Sequence, residues 1–212
     1  MVEIGSNEYS GTAPYVYVSQ RGYYPNDMDK ANQDSYLACE NILGDKRCHA
    51  FGVFDGHGEA GDLCSWFAAD KFPHYLEEEL KARGGTSALN DENKMREIYK
   101  KTLVRTNKAM HKSREVDDVL SGTTAVTVVV KDGMLFVGNV GDSRAIIASE
   151  DQKGKLKYAP LSQDQTPYRK DERERLKKRG AHIMTLDQIQ GNEELHENWG
   201  VNLGEELDDA GY

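Results

Sequence analysis

The sequence predicts an α+β domain of antiparallel sheet and long helices, and three observations carry that prediction. Two long stretches, residues 60–81 and 92–112, place apolar side chains at the helical period. Runs at 48–54, 123–130 and 134–140 are rich in the Val, Thr and Phe that suit a pleated, half-buried surface. The last two runs are joined by Lys131-Asp132-Gly133, where Asp-Gly supplies the positive φ angles of a tight hairpin. Helices and hairpins of this kind bury their apolar faces by stacking in layers.

Taken in order, residues 1–14 are polar and are expected to form a disordered lead-in to a single domain over 15–212. Residues 15–19 are a short β-prone run, and the Gly, Pro, Asn and Asp of 21–30 predict a loop. Strand character resumes at 35–39, turns over 41–46 and returns at 48–54, which places Asp55 at a strand's C-terminal end. In the first helix Leu63, Trp66, Phe67 and Ala68 cluster on one side. Pro73, which has no backbone N–H, predicts a kink or a break. The second helix has Asp91 as its N-cap and Met95, Ile98, Tyr99, Thr102, Leu103 and Met110 on its apolar face. Residues 145–149 and 157–161 are strands around a turn at 152–155. Residues 170–179 are a charged surface helix whose one strong apolar residue is Leu176, stopped by Gly180. Residues 183–186 are a further candidate strand, and 188–212 is an acidic stretch expected to be a flexible connection.

The net charge of −9 and a sequence pI near 5.2 disfavour a nucleic-acid duplex or an anionic membrane as partner, since phosphate-backbone affinity needs clustered Lys and Arg. Cys39, Cys48 and Cys64 show no Cys-x-x-Cys spacing, which argues against a structural zinc site and for a reducing compartment. The first residues lack the apolar run of a signal peptide, the second residue is Val rather than a myristoylatable Gly, and the longest apolar stretch, 125–130, is too short to span a bilayer. A cytoplasmic or nuclear protein, not a secreted one, is the expectation; oligomeric state is left open.

The chemistry-bearing segment is Phe51-Gly52-Val53-Phe54-Asp55-Gly56-His57-Gly58. Asp55 is of the type that binds a hard cation such as Mg²⁺ or Mn²⁺, Gly56 has no side chain to keep its carbonyl from a metal, and His57 is of the type that transfers protons. The same four residues from Asp55 to Gly58 also read as an ordinary Gly-rich turn after a strand. Asp34, Asp142 and the Ser121-Gly122-Thr123-Thr124 segment have equally plain readings as turn or strand-opening residues. No Walker-type loop and no Cys-x5-Arg phosphatase loop is present.

The order of the blocks is more specific than any one of them. Asn32-Gln33-Asp34, then the Asp55-Gly56-His57-Gly58 block, then Ser121-Gly122-Thr123-Thr124-Ala125, then Gly138-Asn139-Val140-Gly141-Asp142-Ser143-Arg144-Ala145, resembles the metal-dependent type 2C (PPM) serine/threonine protein phosphatases. Leu161-Ser162-Gln163-Asp164-Gln165-Thr166-Pro167, Glu172-Arg173 and Gly180-Ala181 extend the resemblance over about residues 15 to 190. It implies a four-layer fold, a β-sandwich of two antiparallel sheets flanked by helix pairs. It implies hydrolysis of phosphoserine and phosphothreonine in phosphoprotein substrates, with two Mg²⁺ or Mn²⁺ ions and a possible third. Asp55 would bridge both ions, the Gly56 carbonyl would bind one, Asp34 would act through metal-bound water, and Asp142 would hold the third ion with Thr124 nearby. His57 would be the general acid.

Two departures from the family pattern bear on this. The phosphate-gripping Arg that many members carry four residues before the Gln33 position is Asp29 here, which leaves Lys30 as the candidate, with Arg21 behind it. The family's later carboxylate blocks do not occur before Tyr212, so the domain reads as the N-terminal part of the catalytic fold, apparently truncated at its C-terminus. A non-catalytic module that binds phosphoproteins or regulates a partner is the alternative expectation.

Overall fold

The computed structural model describes residues 2–5, 10–184 and 189–192. It divides into two compact units, Met1–Gln163 and Asp164–Tyr212. The first holds a five-stranded antiparallel sheet, two two-stranded sheets and the two long helices, which is the expected α+β class.

The main sheet is ordered β3 (Asp34–Cys39), β4 (Cys48–His57), β6 (Ala125–Lys131) and β7 (Met134–Val140), with the short β5 (Gly122–Thr123) paired to the end of β4. The β6–β7 turn is the one the sequence predicts. Asp132 and Gly133 have φ of 51° and 79°, and Lys131 pairs with Met134. Strand β4 runs three residues further than expected. Gly56 pairs with Thr123 and His57 with Gly122, so β5 extends the ladder past Asp55.

Alternation across β4 sorts its side chains. Cys48, Ala50 and Phe54 point to one face and are buried beneath α1 (Gly61–Lys81) and α2 (Glu92–Lys112). Phe54, Phe72 and Tyr99 form a chain of ring contacts with centroids 6.5 and 6.2 Å apart, and the Tyr99 hydroxyl donates to the Phe136 carbonyl at 2.7 Å. The Tyr99 ring fills the space that a side chain at Gly138 would need. Asp91 caps α2 as expected, accepting from the N–H groups of Asn93 and Lys94.

Several expectations are corrected. Helix α1 is unbroken at Pro73. One amide–carbonyl bond is forfeited, but Phe72 and Leu76 on either side are fully buried and hold the helix against the sheet. Phe67 and Ala68 are core residues, whereas Leu63 and Trp66 are exposed; the buried stripe is carried instead by Cys64, Phe72, Leu76 and Leu80. Residues 15–19 form no strand, with Tyr15 against Phe51 and Tyr17 stacked on Tyr36 at 3.7 Å. Within the expected disordered lead-in, β1 (Val2–Gly5) and β2 (Ser10–Ala13) pair as an antiparallel hairpin, because backbone pairing supplies order that the composition of 1–14 does not advertise.

Of the four layers implied by the resemblance, the described residues supply one helix pair on one face of the main sheet. The opposite face is covered only in part, by Tyr15 on Phe51 and Tyr17 on Tyr36, and Val53 on it is 49% exposed. The remaining strands of the first unit, β8 (Ile146–Glu150) and β9 (Leu156–Pro160), form an exposed hairpin. In the second unit α3 (Lys170–Lys177) ends before Gly180 at φ 84°. Its buried residue is Arg173, whose guanidinium donates to the carbonyls of Pro167 and Tyr168, while Leu176 is half-buried. Of the candidate strand at 183–186, Ile183 and Met184 are not in a strand, and the rest lies outside the described residues. So does most of the expected connection over 188–212.

Candidate active site

The open face of the sheet carries the acidic residues. Asp34 and Asp55 are directly opposite in the β3–β4 register, so both carboxylates leave the same face at the same end of the sheet. Like charges placed so are destabilising unless something offsets them. The effect shows at Asp55, whose carboxyl is pushed above the usual carboxylate range by partial desolvation, then by the charges of Asp34 and Asp142. His57 acts in the opposite direction. Three residues far apart in sequence are thus within electrostatic reach of Asp55, and all four are exposed to solvent.

The backbone around Asp55 is held on both flanks. Thr124 N–H donates to the Asp55 carbonyl at 2.9 Å, and Asp55 N–H donates to Thr124 Oγ1 at 3.0 Å. Gly56 N–H donates to the Gln33 carbonyl at 3.1 Å. Gly56 itself has no room for a side chain, since a Cβ would lie 2.1 Å from the Gly61 carbonyl oxygen. That close approach seats the first turn of α1 against the end of β4. His57 lies against Gly122, where a Cβ would come within 2.9 Å of Nε2.

Gln33 does more than its place in the motif suggests. Its side-chain amide donates to the Gly58 carbonyl at 2.6 Å, and its own carbonyl also accepts from Ser65 Oγ at 2.6 Å. It therefore ties the start of β3 to the glycine loop and to α1. A Glu in its place would have no N–H for the bond to Gly58. Ser121 Oγ accepts from Ala60 N–H at 3.0 Å and closes the same loop from the other side. Ser121 and Ser143, which pairs with Thr124, lie within the ordered blocks but have no role predicted from the sequence, because hydroxyl residues are common wherever chains turn.

Lys30 is placed otherwise than the phosphate-gripping role suggests. Its ammonium lies 4.0 Å from the centroid of the Tyr24 ring, a cation–π contact. Arg21 donates to the carbonyls of Met28 and Lys30 and so braces the loop between them.

The donors are hard oxygens, of the kind that suit Mg²⁺ or Mn²⁺. A cation beside Asp55 would offset the charges of Asp34 and Asp142, which add to partial desolvation in raising its carboxyl. By donor chemistry the carboxylates suit a divalent ion, while among the described residues no three His, Cys, Asp or Glu side chains come together as a group that could hold one.

Comparisons with known proteins bear on the family and the fold. The family profile for Protein phosphatase 2C matches residues 25–196. Probable protein phosphatase 2C 35 of Arabidopsis thaliana is 44% identical over 84% of this chain and 48% of its own length. Probable protein phosphatase 2C 75 of Oryza sativa subsp. japonica is 32% identical over 72% of this chain and 43% of its own. The chain thus spans about half the length of these curated relatives. Among solved structures, serine-threonine phosphatase 2C from Toxoplasma gondii superposes with a TM-score of 0.57 at 24% identity, covering 76% of this chain and 54% of that one. A sex-determining protein of C. elegans has a TM-score of 0.53 at 21% identity, covering 74% and 37%. At these identities the two structures speak to the fold alone. With the profile match and the plant relatives beside them, this chain belongs to the protein phosphatase 2C family.

Proposed function

We propose that the site hydrolyses phosphoserine and phosphothreonine in proteins with a divalent metal. The observation that carries this reading is the Asp34–Asp55 pair on one sheet face, with His57 two residues beyond Asp55 and Asp142 close enough to act on it. Asp55, the Gly56 carbonyl, Asp34 and Asp142 would hold Mg²⁺ or Mn²⁺. Such ions supply a water activated for attack on phosphorus and neutralise charge on the phosphoryl oxygens. The chain's own residues orient the substrate and manage its proton. His57 Nε2 or Nδ1 delivers the proton that the departing seryl or threonyl oxygen requires, from a ring seated against Gly122. Lys30 meets the substrate phosphate by leaving the Tyr24 ring. The three cysteines are free thiols, which supports the reducing cytoplasmic or nuclear setting. Among the described residues no helix is long and apolar enough to cross a membrane.

The alternative, a module that binds phosphoproteins without turning them over, draws on the lack of such a group of three side chains among the described residues. One experiment separates the two. The chain is assayed with Mn²⁺ on a phosphothreonine peptide and on p-nitrophenyl phosphate, whose leaving group needs no proton. With few carboxylates, metal affinity should be weak and turnover slow. Asp55→Asn should abolish what turnover there is on both substrates. His57→Ala should lower peptide turnover by about 10²-fold and spare p-nitrophenyl phosphate. Peptide turnover that survives Asp55→Asn would exclude the metal mechanism. Peptide binding with no turnover at any Mn²⁺ concentration would favour the binding module.

A further inference from the structure

We propose that Thr124 is the positioning residue that fixes Asp142 relative to Asp55, with Ser143 as its partner, and so sets how well the pair takes a divalent cation. The proposal rests on the metal reading above and adds a residue that acts through others rather than on substrate.

Thr124 is the single residue between β5 and β6, and it is buried. It satisfies both backbone polar groups of Asp55, accepting from the N–H through Oγ1 and donating its own N–H to the carbonyl. Its other contacts bracket Asp142. Oγ1 is 2.6 Å from Ser143 Oγ, one residue after Asp142. Its methyl group lies where a side chain at Gly141, one residue before, would be, with Cγ2 2.8 Å from the position of a Cβ there. Gly141 has φ of 95°, so the turn both needs a glycine and leaves room for that methyl. One residue thus touches both neighbours of Asp142 through its side chain and both polar backbone atoms of Asp55, the N–H through Oγ1 and the carbonyl through its own N–H, across 69 residues on one side and 19 on the other.

The hydroxyl has one proton and two lone pairs. One lone pair takes Asp55 N–H. The bond with Ser143 uses either the Thr124 proton or the other lone pair, so both remaining arrangements keep the link. Valine matches the shape of threonine and breaks both bonds; serine keeps both bonds and gives up the methyl over Gly141. The two substitutions therefore separate hydroxyl positioning from packing.

The test uses the ¹⁵N-labelled 212-residue chain. Mn²⁺ is titrated, and paramagnetic broadening of the Asp55 and Asp142 amide signals is followed together with hydrogen exchange at the Asp55 amide. In the wild-type chain both amides should broaden over the same Mn²⁺ range. Thr124→Val should speed exchange at Asp55 and shift broadening at Asp142 to about 10-fold higher Mn²⁺, the effect expected of a residue that orients a ligand. Thr124→Ser should restore both to within about 2-fold, and Ser143→Ala should shift broadening in the same direction as Thr124→Val. A folded Thr124→Val chain with the wild-type broadening range overturns the proposal. If Thr124→Val fails to fold, Ser143→Ala decides, and an unchanged range there overturns it. Wild-type chain in which Mn²⁺ broadens neither amide refutes the metal reading itself, whereas broadening that ignores Thr124 refutes only its positioning role.

Discussion

The contact between Gly56 and the first residue of α1 gives the sharpest prediction. A Cβ on residue 56 would sit 2.1 Å from the Gly61 carbonyl oxygen, 2.5 Å from its carbonyl carbon and 2.6 Å from the Gln33 carbonyl oxygen. All three are backbone atoms, so no side chain can swing aside. Two separate segments would each have to give way, by about 1 Å in the closest case, in an interior packed as densely as a crystal. Overpacking typically costs about 1–3 kcal/mol, and three simultaneous backbone clashes place Gly56→Ala at about 3–5 kcal/mol. For a domain of this size that corresponds to a fall of about 10 °C in Tm. Gly52→Ala, on the same strand, is the control. Its Cβ would meet nothing nearer than Thr127 Cγ2 at 3.1 Å. A few tenths of an ångström of adjustment there is offset by the lower chain entropy of alanine, so the net change is within about 1 kcal/mol. Thermal unfolding followed by circular dichroism measures both. If Gly56→Ala melts within about 2 °C of the wild-type chain, the reasoning from close approach fails. The same holds if Gly52→Ala proves the more damaging.

Two further predictions concern the core and the sheet end away from the site. Burial raises the Asp45 carboxyl, but hydrogen bonds from Thr86, Arg47 N–H and Lys131 outweigh it and hold the group at about 2. Its pKa is depressed on folding, so its contribution is complete above an unfolded value of about 3.9 and is lost as pH falls toward about 2; with Asp45 partly exposed, that is about 1–2 kcal/mol. Urea unfolding from pH 6 to 2 should show Asp45→Asn with a flatter pH dependence below pH 4, and an identical slope for both chains would rule the clamp out. Tyr99→Phe removes the hydroxyl that donates to the Phe136 carbonyl at 2.7 Å and should lower stability by about 1 kcal/mol without changing the urea m-value. A midpoint equal to that of the wild-type chain would show that the bond contributes nothing net.

What the sequence made legible follows from how local each signal is. Asp91 capping α2, Asp132-Gly133 turning β6 into β7 and Gly180 closing α3 are each settled by a few neighbouring residues, and each is where the sequence puts it. Expectations failed where distant parts of the fold decide. Of the kink or break expected at Pro73 the break does not occur, since buried Phe72 and Leu76 override one missing hydrogen bond. Tyr15 and Tyr17 have strand-forming side chains but find aromatic rings rather than a backbone ladder. The site divides along the same line. Asp34, Asp55, Gly56, His57 and Asp142 are legible as motif residues, since each motif is short and ordered along the chain. Gln33 as a tether to Gly58, Ser121 as the partner of Ala60 and Ser143 as the partner of Thr124 are not, because each acts through a bond to a residue 19 to 61 positions away.

The arrangement also explains why the acidic residues sit at the end of the central strand rather than along it. Midway along β4, each neighbour in the ladder is another strand, and a carboxylate on the open face would be flanked by apolar side chains such as Tyr36 and Val126. At Asp55 the ladder changes partner. Beyond Val53 the pairing with β6 gives way to β5, with Thr124 as the joint, while Asp34, opposite Asp55, is the first residue of β3. Backbone bonds still fix Asp55 on both sides, through Thr124 and through the neighbouring Gly56–Gln33 bond, but its side chain faces solvent. A metal ligand needs both properties: a rigid backbone so that repelling carboxylates are held together, and an open face so that a cation and a phosphate can reach them. Partial desolvation and the charges of Asp34 and Asp142 together raise the Asp55 carboxyl at this strand end.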